Sequence, residues 1–314
     1  MLDSSHARAV VDRFDLGADA RLVGPVAFGR QGEIWRLDTA LGAFAVKQSR
    51  IAPDPEVAER DAAYQELVHA AGVPTPAVVR DTDGRVVSEV EGVPLRVYTW
   101  VDVAAEDRRL DPEAMGRMLA AMHAVHVPAS GPVDGWYADP VGREAWEDLV
   151  ERLAAAGAPF AVRLASMVPT LDEVESLLVR PTVGLQVCHR DVWADNVRAV
   201  PGGGLVVFDW ENAGAASPSQ ELGLAAYEYG MGDPDRIRAL YRSYVEAGGP
   251  GRLRESADLT MLVAQLVHIL QIGCARWLSS ETDQDRADNE DWVAEFLDDP
   301  VTVPVVAALL AAAR

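Results

Sequence analysis

Apolar positions follow two different rhythms along this chain. Residues 6–14 have helical spacing. Residues 23–28, 34–37 and 43–47 then form short apolar runs of the kind strands use, separated by the glycine-bearing turns Gly29-Arg30-Gln31-Gly32-Glu33 and Thr39-Ala40-Leu41-Gly42. A helix is expected over residues 53–71, opened by Pro53-Asp54-Pro55 and stopped by Gly72-Val73-Pro74. Two further strands follow at 85–89 and 95–100, which makes a sheet of about five strands, a common sheet size. From residue 112 onward the helical period dominates: Met115, Met118, Leu119 and Met122 share one face at i, i+3, i+4 and i+7. Helices are also expected over 140–157 and 160–178, from Asp233 with Ile237, Leu240, Tyr241 and Tyr244, over 259–278, and over 305–313. The interruption is a β region around residues 185–208, with the Pro201-Gly202-Gly203-Gly204 turn of a hairpin inside it.

Composition narrows the classes. The chain has 314 residues, 49% of them hydrophobic and 25% charged, enough for a large globular core. A net charge of −21 would repel phosphate backbones, which argues against nucleic acid, and would attract a cationic small molecule. Cys188 and Cys274 form neither a disulfide framework nor a metal pattern. The first residues lack the basic and apolar regions of a signal peptide, and no apolar run looks long enough to span a membrane, so a cytoplasmic setting is the expectation.

The chemistry concentrates between Gln186 and Glu211. His189-Arg190-Asp191 opens a polar turn that reaches Asn196, and the strand after the hairpin turn delivers Asp209. A hairpin can bring Asp191, Asn196 and Asp209 together. Such a group suits phosphoryl transfer, in which one carboxylate takes a proton from an attacking hydroxyl while an amide and a second carboxylate hold Mg2+. Upstream, strand alternation puts Ala45 and Lys47 on one face; the small residue leaves room for a flat base and the lysine can reach phosphate oxygens.

The H-R-D-x-x-x-x-N spacing is that of the kinase catalytic loop, Ala45-Val46-Lys47 resembles the kinase phosphate-binding strand, and Phe208-Asp209-Trp210-Glu211 stands where protein kinases have D-F-G. Together with Gly72-Val73-Pro74-Thr75-Pro76 and the helix ending Leu119-Ala120-Ala121-Met122-His123, the pattern resembles the aminoglycoside phosphotransferase family of small-molecule kinases. The resemblance covers nearly the whole chain and is strongest from Val187 to Gly214.

That resemblance implies an α+β, two-lobed, protein-kinase-like fold. A small antiparallel-sheet lobe, residues 1–102, would bind nucleotide, with the base between it and a larger, mainly helical lobe of residues 103–314. A helical insert at about 126–180 would help wall the acceptor site, with Trp136 and Tyr137 either lining it or packing as core. The implied cofactors are ATP or GTP with Mg2+. The implied roles are Asp191 as catalytic base, Asn196 and Asp209 as metal ligands, Lys47 on phosphates, Gly29 and Gly32 in the loop over the phosphates, Ala45 beside the base, and backbone groups at Trp100 and Val101 as the hinge. An acid on the 53–71 helix would pair with Lys47; Asp61 stands at the matching position, and Glu59 stays open as the alternative. The glycine turn departs from the full G-x-G-x-x-G pattern, and Glu221 and Gly223 stand where the family tends to have Asp-Leu-Ala.

The absence of a long activation segment after Asp209 argues for a small acceptor rather than a protein. Residues 281–299 hold nine acids and one base, Arg286, and read either as a solvated surface or as an acidic lip, with Trp277 and Trp292, for an amino-bearing acceptor. Three functions remain open: an antibiotic kinase, a metabolic kinase acting on an amino alcohol, sugar or amino acid, and a nucleotide-binding pseudokinase. Acceptor identity and oligomeric state are not encoded in these patterns.

Overall fold

The computed structural model describes residues 2–28, 32–129 and 131–314. In chain order its elements begin with α1 (Ala7–Phe14), β1 (Arg21–Phe28), β2 (Gly32–Thr39), β3 (Gly42–Ser49), α2 (Pro55–Ala70), β4 (Val78–Val79), β5 (Ser88–Val90) and β6 (Val93–Thr99). They continue with α3 (Pro112–Ala124), α4 (Arg143–Ala155), α5 (Ala161–Glu175), β7 (Gln186–Cys188), β8 (Val197–Ala199), β9 (Leu205–Val207) and β10 (Gly214–Ala216). The chain closes with α6 (Pro218–Gly230), α7 (Pro234–Glu246), α8 (Thr260–Ser279), α9 (Asp283–Asp298) and α10 (Val303–Ala312). The elements fall into two compact units, Met1–Asp107 with Ala194–Ala213, and Arg108–Trp193 with Gly214–Arg314. The lobe boundary expected near residue 103 lies close to the first of these divisions, and residues 194–213 group with the N-terminal unit.

In the first unit one antiparallel sheet runs in the order β1-β2-β3-β6-β4, with β5 also paired to β6. It has six strands rather than the expected five or so. The additional β4 contains two residues, too few for alternation to register. Gly32, expected in a turn, already belongs to β2: a Cβ there would collide with the Gln48 carbonyl across the ladder, so close pairing at this position requires glycine.

Strand alternation sorts two chemistries onto the two faces of this sheet. Leu37, Val46, Leu95 and Val97 are fully buried on one face, where Val10, Val11 and Phe14 of α1 cover them. Register pairs Val46 with Val97 on that face; the flanking pairs, Ala45 with Tyr98 and Lys47 with Arg96, therefore point to the other. Two cations thus lie side by side on a largely buried surface, with Lys47 only 9% and Arg96 only 4% exposed.

Among the described residues, the regular elements of the second unit are helices apart from the β7–β10 pair. Helices α3 and α7 pack closely against each other in it. Gly116 on α3 meets the Leu240 carbonyl and the Ser243 hydroxyl, where no side chain fits. Helix α8 is the core helix, with Leu262, Val263, Ala264, Val267 and Cys274 essentially inaccessible. The stretch Ser256–Ser279 is long and apolar enough to cross a membrane, at mean hydropathy 1.4, which revises the expectation that no such run exists. Of its most apolar window, 67% is buried inside the protein, as befits a core helix.

Gly116→Ala should lower the stability of the protein by about 1–3 kcal/mol, because α3 and α7 must separate to admit a methyl group. Urea denaturation measures this, and an unchanged midpoint would contradict the proposed close approach.

Candidate active site

A buried ammonium has to find counter-charges, and the first unit supplies two. Lys47 Nζ is ion-paired with Asp209 Oδ1 at 3.0 Å and with Glu211 Oε1 at 2.8 Å. Burial opposes the lysine charge, but the two carboxylates outweigh it and hold Lys47 above its ordinary range. Glu211 Oε1 also lies 3.4 Å from Arg96 Nη1, so one carboxylate bridges the two cations that the β3–β6 register places together.

Local structure explains why residues so far along the chain arrive at β3. Strands β8 and β9 pair with Val197 opposite Val207, and the Phe208 N–H donates to the Asn196 carbonyl at 2.8 Å. Asn196 and Asp209 therefore emerge from the same end of the hairpin. Asp209 then turns sharply, with φ of 53°, a left-handed conformation uncommon for a non-glycine residue. Trp210 fixes the turn: its ring meets Tyr64 of α2 edge-on at 5.6 Å, and its Nε1–H donates to Thr75 Oγ1 at 2.8 Å. The strained residue is thus held by its buried neighbour.

Asn196 is buried and offers an amide, while the Asp209 side chain stays 37% exposed and offers a carboxylate. These hard oxygen donors suit Mg2+, which prefers one or two carboxylates completed by water and phosphate. In contrast, His123, Cys188 and Glu221 form a compact buried group in the second unit, but both nitrogens of His123 already have hydrogen-bond partners, which leaves a polar network rather than a metal site.

That network holds the loop carrying Asp191. The Gly251 N–H donates to Tyr244 Oη at 2.8 Å, and Tyr244 Oη lies 2.7 Å from His123 Nδ1. His123 Nε2 lies 2.7 Å from Glu221 Oε2, and Glu221 Oε1 accepts the Arg190 N–H. With the tyrosine accepting from Gly251 and donating to Nδ1, the imidazole carries its proton on Nε2 and donates to Glu221. Burial pushes the Glu221 carboxyl up, but His123 and the Arg190 N–H outweigh it and hold Glu221 below its usual range.

Arg190 sits at φ of 66° and is secured on every side. Its carbonyl accepts from Gln265 Nε2 at 2.7 Å, its guanidinium stacks on Tyr137 at 4.1 Å, and its side chain passes where any Cβ on Gly214 would collide with it. The same Gln265 accepts from Trp193 Nε1 at 3.2 Å, while the buried His189 ring accepts the Asp191 N–H through Nδ1 at 3.2 Å. Asp191 is half-buried in a loop whose neighbours on both sides are fixed.

Several expected residues fall differently. Gly29 lies outside the described residues. Glu59 is held by Arg80 Nη1 at 2.7 Å and the Val86 N–H at 2.9 Å, which removes it as the lysine's helix partner. Asp61 is buried on α2, and its charge acts on Arg96. The Trp100 N–H bonds to the Ala43 carbonyl at 3.0 Å, so that hinge donor is already engaged, while Val101 follows outside regular secondary structure. Tyr137 packs as core under Arg190, and Trp136 stacks on His268 at 5.2 Å. Arg96, Glu211, Tyr244 and Gln265 were not singled out for these contacts. Only the position of Glu211 beside Asp209, and of Arg96 two residues from Tyr98 on an alternating strand, offered a local signal.

Comparison with known proteins bears on the family and the fold. A family model described as the phosphotransferase enzyme family matches residues 25–256. No curated protein sequence matches the chain. Among solved structures, spectinomycin phosphotransferase in complex with ADP and spectinomycin is similar over 99% of this chain and 98% of its own, at 14% identity and a TM-score of 0.72. An aminoglycoside phosphotransferase from Alicyclobacillus acidocaldarius aligns over 100% and 96% at 17% identity and a TM-score of 0.62. A microcompartment-associated aminopropanol kinase aligns over 94% and 95% at 16% identity and a TM-score of 0.54. The fold is the protein-kinase-like fold that these structures share.

Replacing Glu221 with Gln should destabilise the protein at pH 7 by about 1.5–3 kcal/mol, since a buried carboxylate that accepts hydrogen bonds from the His123 ring and the Arg190 N–H is lost. The folded pKa of Glu221 lies below the unfolded one. Its contribution is therefore complete above the ordinary glutamate value of about 4.3 and drains away as pH falls through the lower folded value. Denaturation of the two proteins across pH 7 to 3 should show the gap narrowing in acid; a gap independent of pH would contradict a Glu221 carboxylate held ionised by these hydrogen bonds.

Proposed function

Because the chain belongs to the phosphotransferase enzyme family, we propose that it transfers the γ-phosphoryl group of ATP or GTP to a hydroxyl of a small, amino-bearing molecule. The observation that carries this reading is the buried Lys47 ammonium paired with Asp209, at the hairpin end that also presents Asn196.

Lys47 binds and orients phosphate oxygens, a task that suits a lysine kept charged in a buried setting. Asn196 and Asp209 would hold Mg2+, which when bound neutralises charge on the phosphates and on the group in transfer. Asp191 orients the acceptor hydroxyl and accepts its proton as that oxygen bonds to the γ-phosphorus and the bond to the leaving diphosphate breaks. Arg190 and His189 set the direction of Asp191 through the backbone, and catalysis rests on positioning more than on covalent chemistry. The acidic balance of the chain favours a cationic acceptor over an anionic one. Among similar folds are proteins named for spectinomycin and for aminopropanol, which keeps both an antibiotic and a metabolic amino alcohol within the proposed acceptor class.

Nucleoside-diphosphate release, measured with Mg2+ and ATP or GTP over aminoglycosides, macrolides, choline, homoserine and sugars, tests the proposal. Asp191→Asn should reduce turnover by roughly 10²–10⁴-fold with little change in nucleotide affinity. Turnover in that variant equal to the native enzyme would rule Asp191 out as the base. Nucleotide binding without turnover on any acceptor would favour a pseudokinase.

A further inference from the structure

The second unit contains a cavity of about 270 Å³ that the proposed chemistry leaves unassigned. Its lining includes Trp193, two residues beyond Asp191, with Leu171 of α5, Leu266 and Leu270 of α8, and Phe296 of α9. Leu266 directly follows Gln265, the residue that clamps both the Arg190 carbonyl and the Trp193 indole. The apolar wall is therefore continuous with the loop that presents Asp191.

The mouth of the cavity has the opposite character. Glu295 and Asp299 line it at exposed positions, and neither has an ion-pair partner among the described residues. The other lining carboxylate, Glu228, is matched by Arg108 at 3.0 Å. The net result is an apolar pocket with two unbalanced negative charges at its rim.

Such a lining discriminates between amines. A polyhydroxylated aminocyclitol would press hydroxyls against leucine and phenylalanine side chains that cannot hydrogen-bond to them, which disfavours binding. A molecule with one apolar body and one ammonium would place each part against its complement. Resting on the phosphotransferase reading above, we infer that the acceptor is an amphipathic amino alcohol, with its apolar portion against Leu171, Leu266 and Phe296 and its ammonium toward Glu295 and Asp299. The acidic lip anticipated over residues 281–299 thus narrows to these two side chains. Trp277, by contrast, packs inside the unit against Phe160 at 5.6 Å.

Isothermal titration of the whole protein with phenylalaninol, ethanolamine and kanamycin, without nucleotide, tests the inference. Phenylalaninol should bind at least tenfold more tightly than either of the others. The Glu295→Gln, Asp299→Asn double variant, changed only at exposed positions, should weaken phenylalaninol binding about tenfold or more. Phe296→Ala should weaken phenylalaninol but not ethanolamine, which has too little apolar surface to reach the wall. Equal or tighter binding of kanamycin, or unchanged phenylalaninol affinity in both variants, would overturn the inference. Selective phenylalaninol binding without phosphoryl transfer to any amino alcohol would uphold the pocket and refute the phosphotransferase reading. Transfer confined to polyhydroxylated acceptors would do the reverse.

Discussion

The buried charge of Lys47 is the constraint on which the first unit depends. An ammonium 9% exposed on a strand is costly unless carboxylates reach it, and Asp209 and Glu211 must cross a sequence separation of 162 residues or more to do so. That requirement explains the arrangement around them. The β8–β9 hairpin aims the segment, the left-handed turn at Asp209 redirects it, and Trp210, wedged against Tyr64 and bonded to Thr75, keeps it there. Arg96 adds a second cation to the same carboxylate, so the sheet face opposite the apolar core becomes an ordered field of charge rather than a packing surface.

The second unit meets a comparable demand by other means. Here the difficult element is not a charge but a backbone: Arg190 holds a left-handed conformation in the loop that carries Asp191. Glu221 satisfies its N–H, Gln265 its carbonyl and Tyr137 its guanidinium, while His123 and Tyr244 support Glu221 from α3 and α7. The glycine-mediated approach of α3 to α7 is thus tied to the loop that carries Asp191 through the hydrogen bonds of His123 and Glu221. Positions remote from Asp191 can affect it by this route, because a loop fixed by several satisfied polar groups tolerates little displacement.

Much of this was legible in the sequence, and the limits have physical causes. Alternation in Ala43–Lys47 identified the face bearing Ala45 and Lys47, and the period of 3.6 located most of the long helices, because both depend on spacing along one element; α6, buried all round, and the mostly polar α9 carry no clear apolar stripe and were not located. The spacing from His189 to Asn196 and the glycine turn before Asp209 encoded the hairpin. What local spacing cannot encode is which distant partner completes a buried charge. Glu211 rather than Glu59 reaches Lys47, since Arg80 and the Val86 N–H already occupy Glu59. The dependence of His123 on Tyr244 and Glu221 was not legible, as the three lie on separate helices. The two-residue β4 is too short to carry a pattern at all.

The central claim is that Lys47, Asn196 and Asp209 form one site for a metal-bound nucleotide. The most direct test is calorimetric titration of ATP into the native protein and into Asp209→Asn, each with and without Mg2+. Tight binding in the native protein that depends on Mg2+, with the dependence lost in the variant, is the predicted result. Equal ATP affinity with and without Mg2+, unchanged by the substitution, would contradict the account.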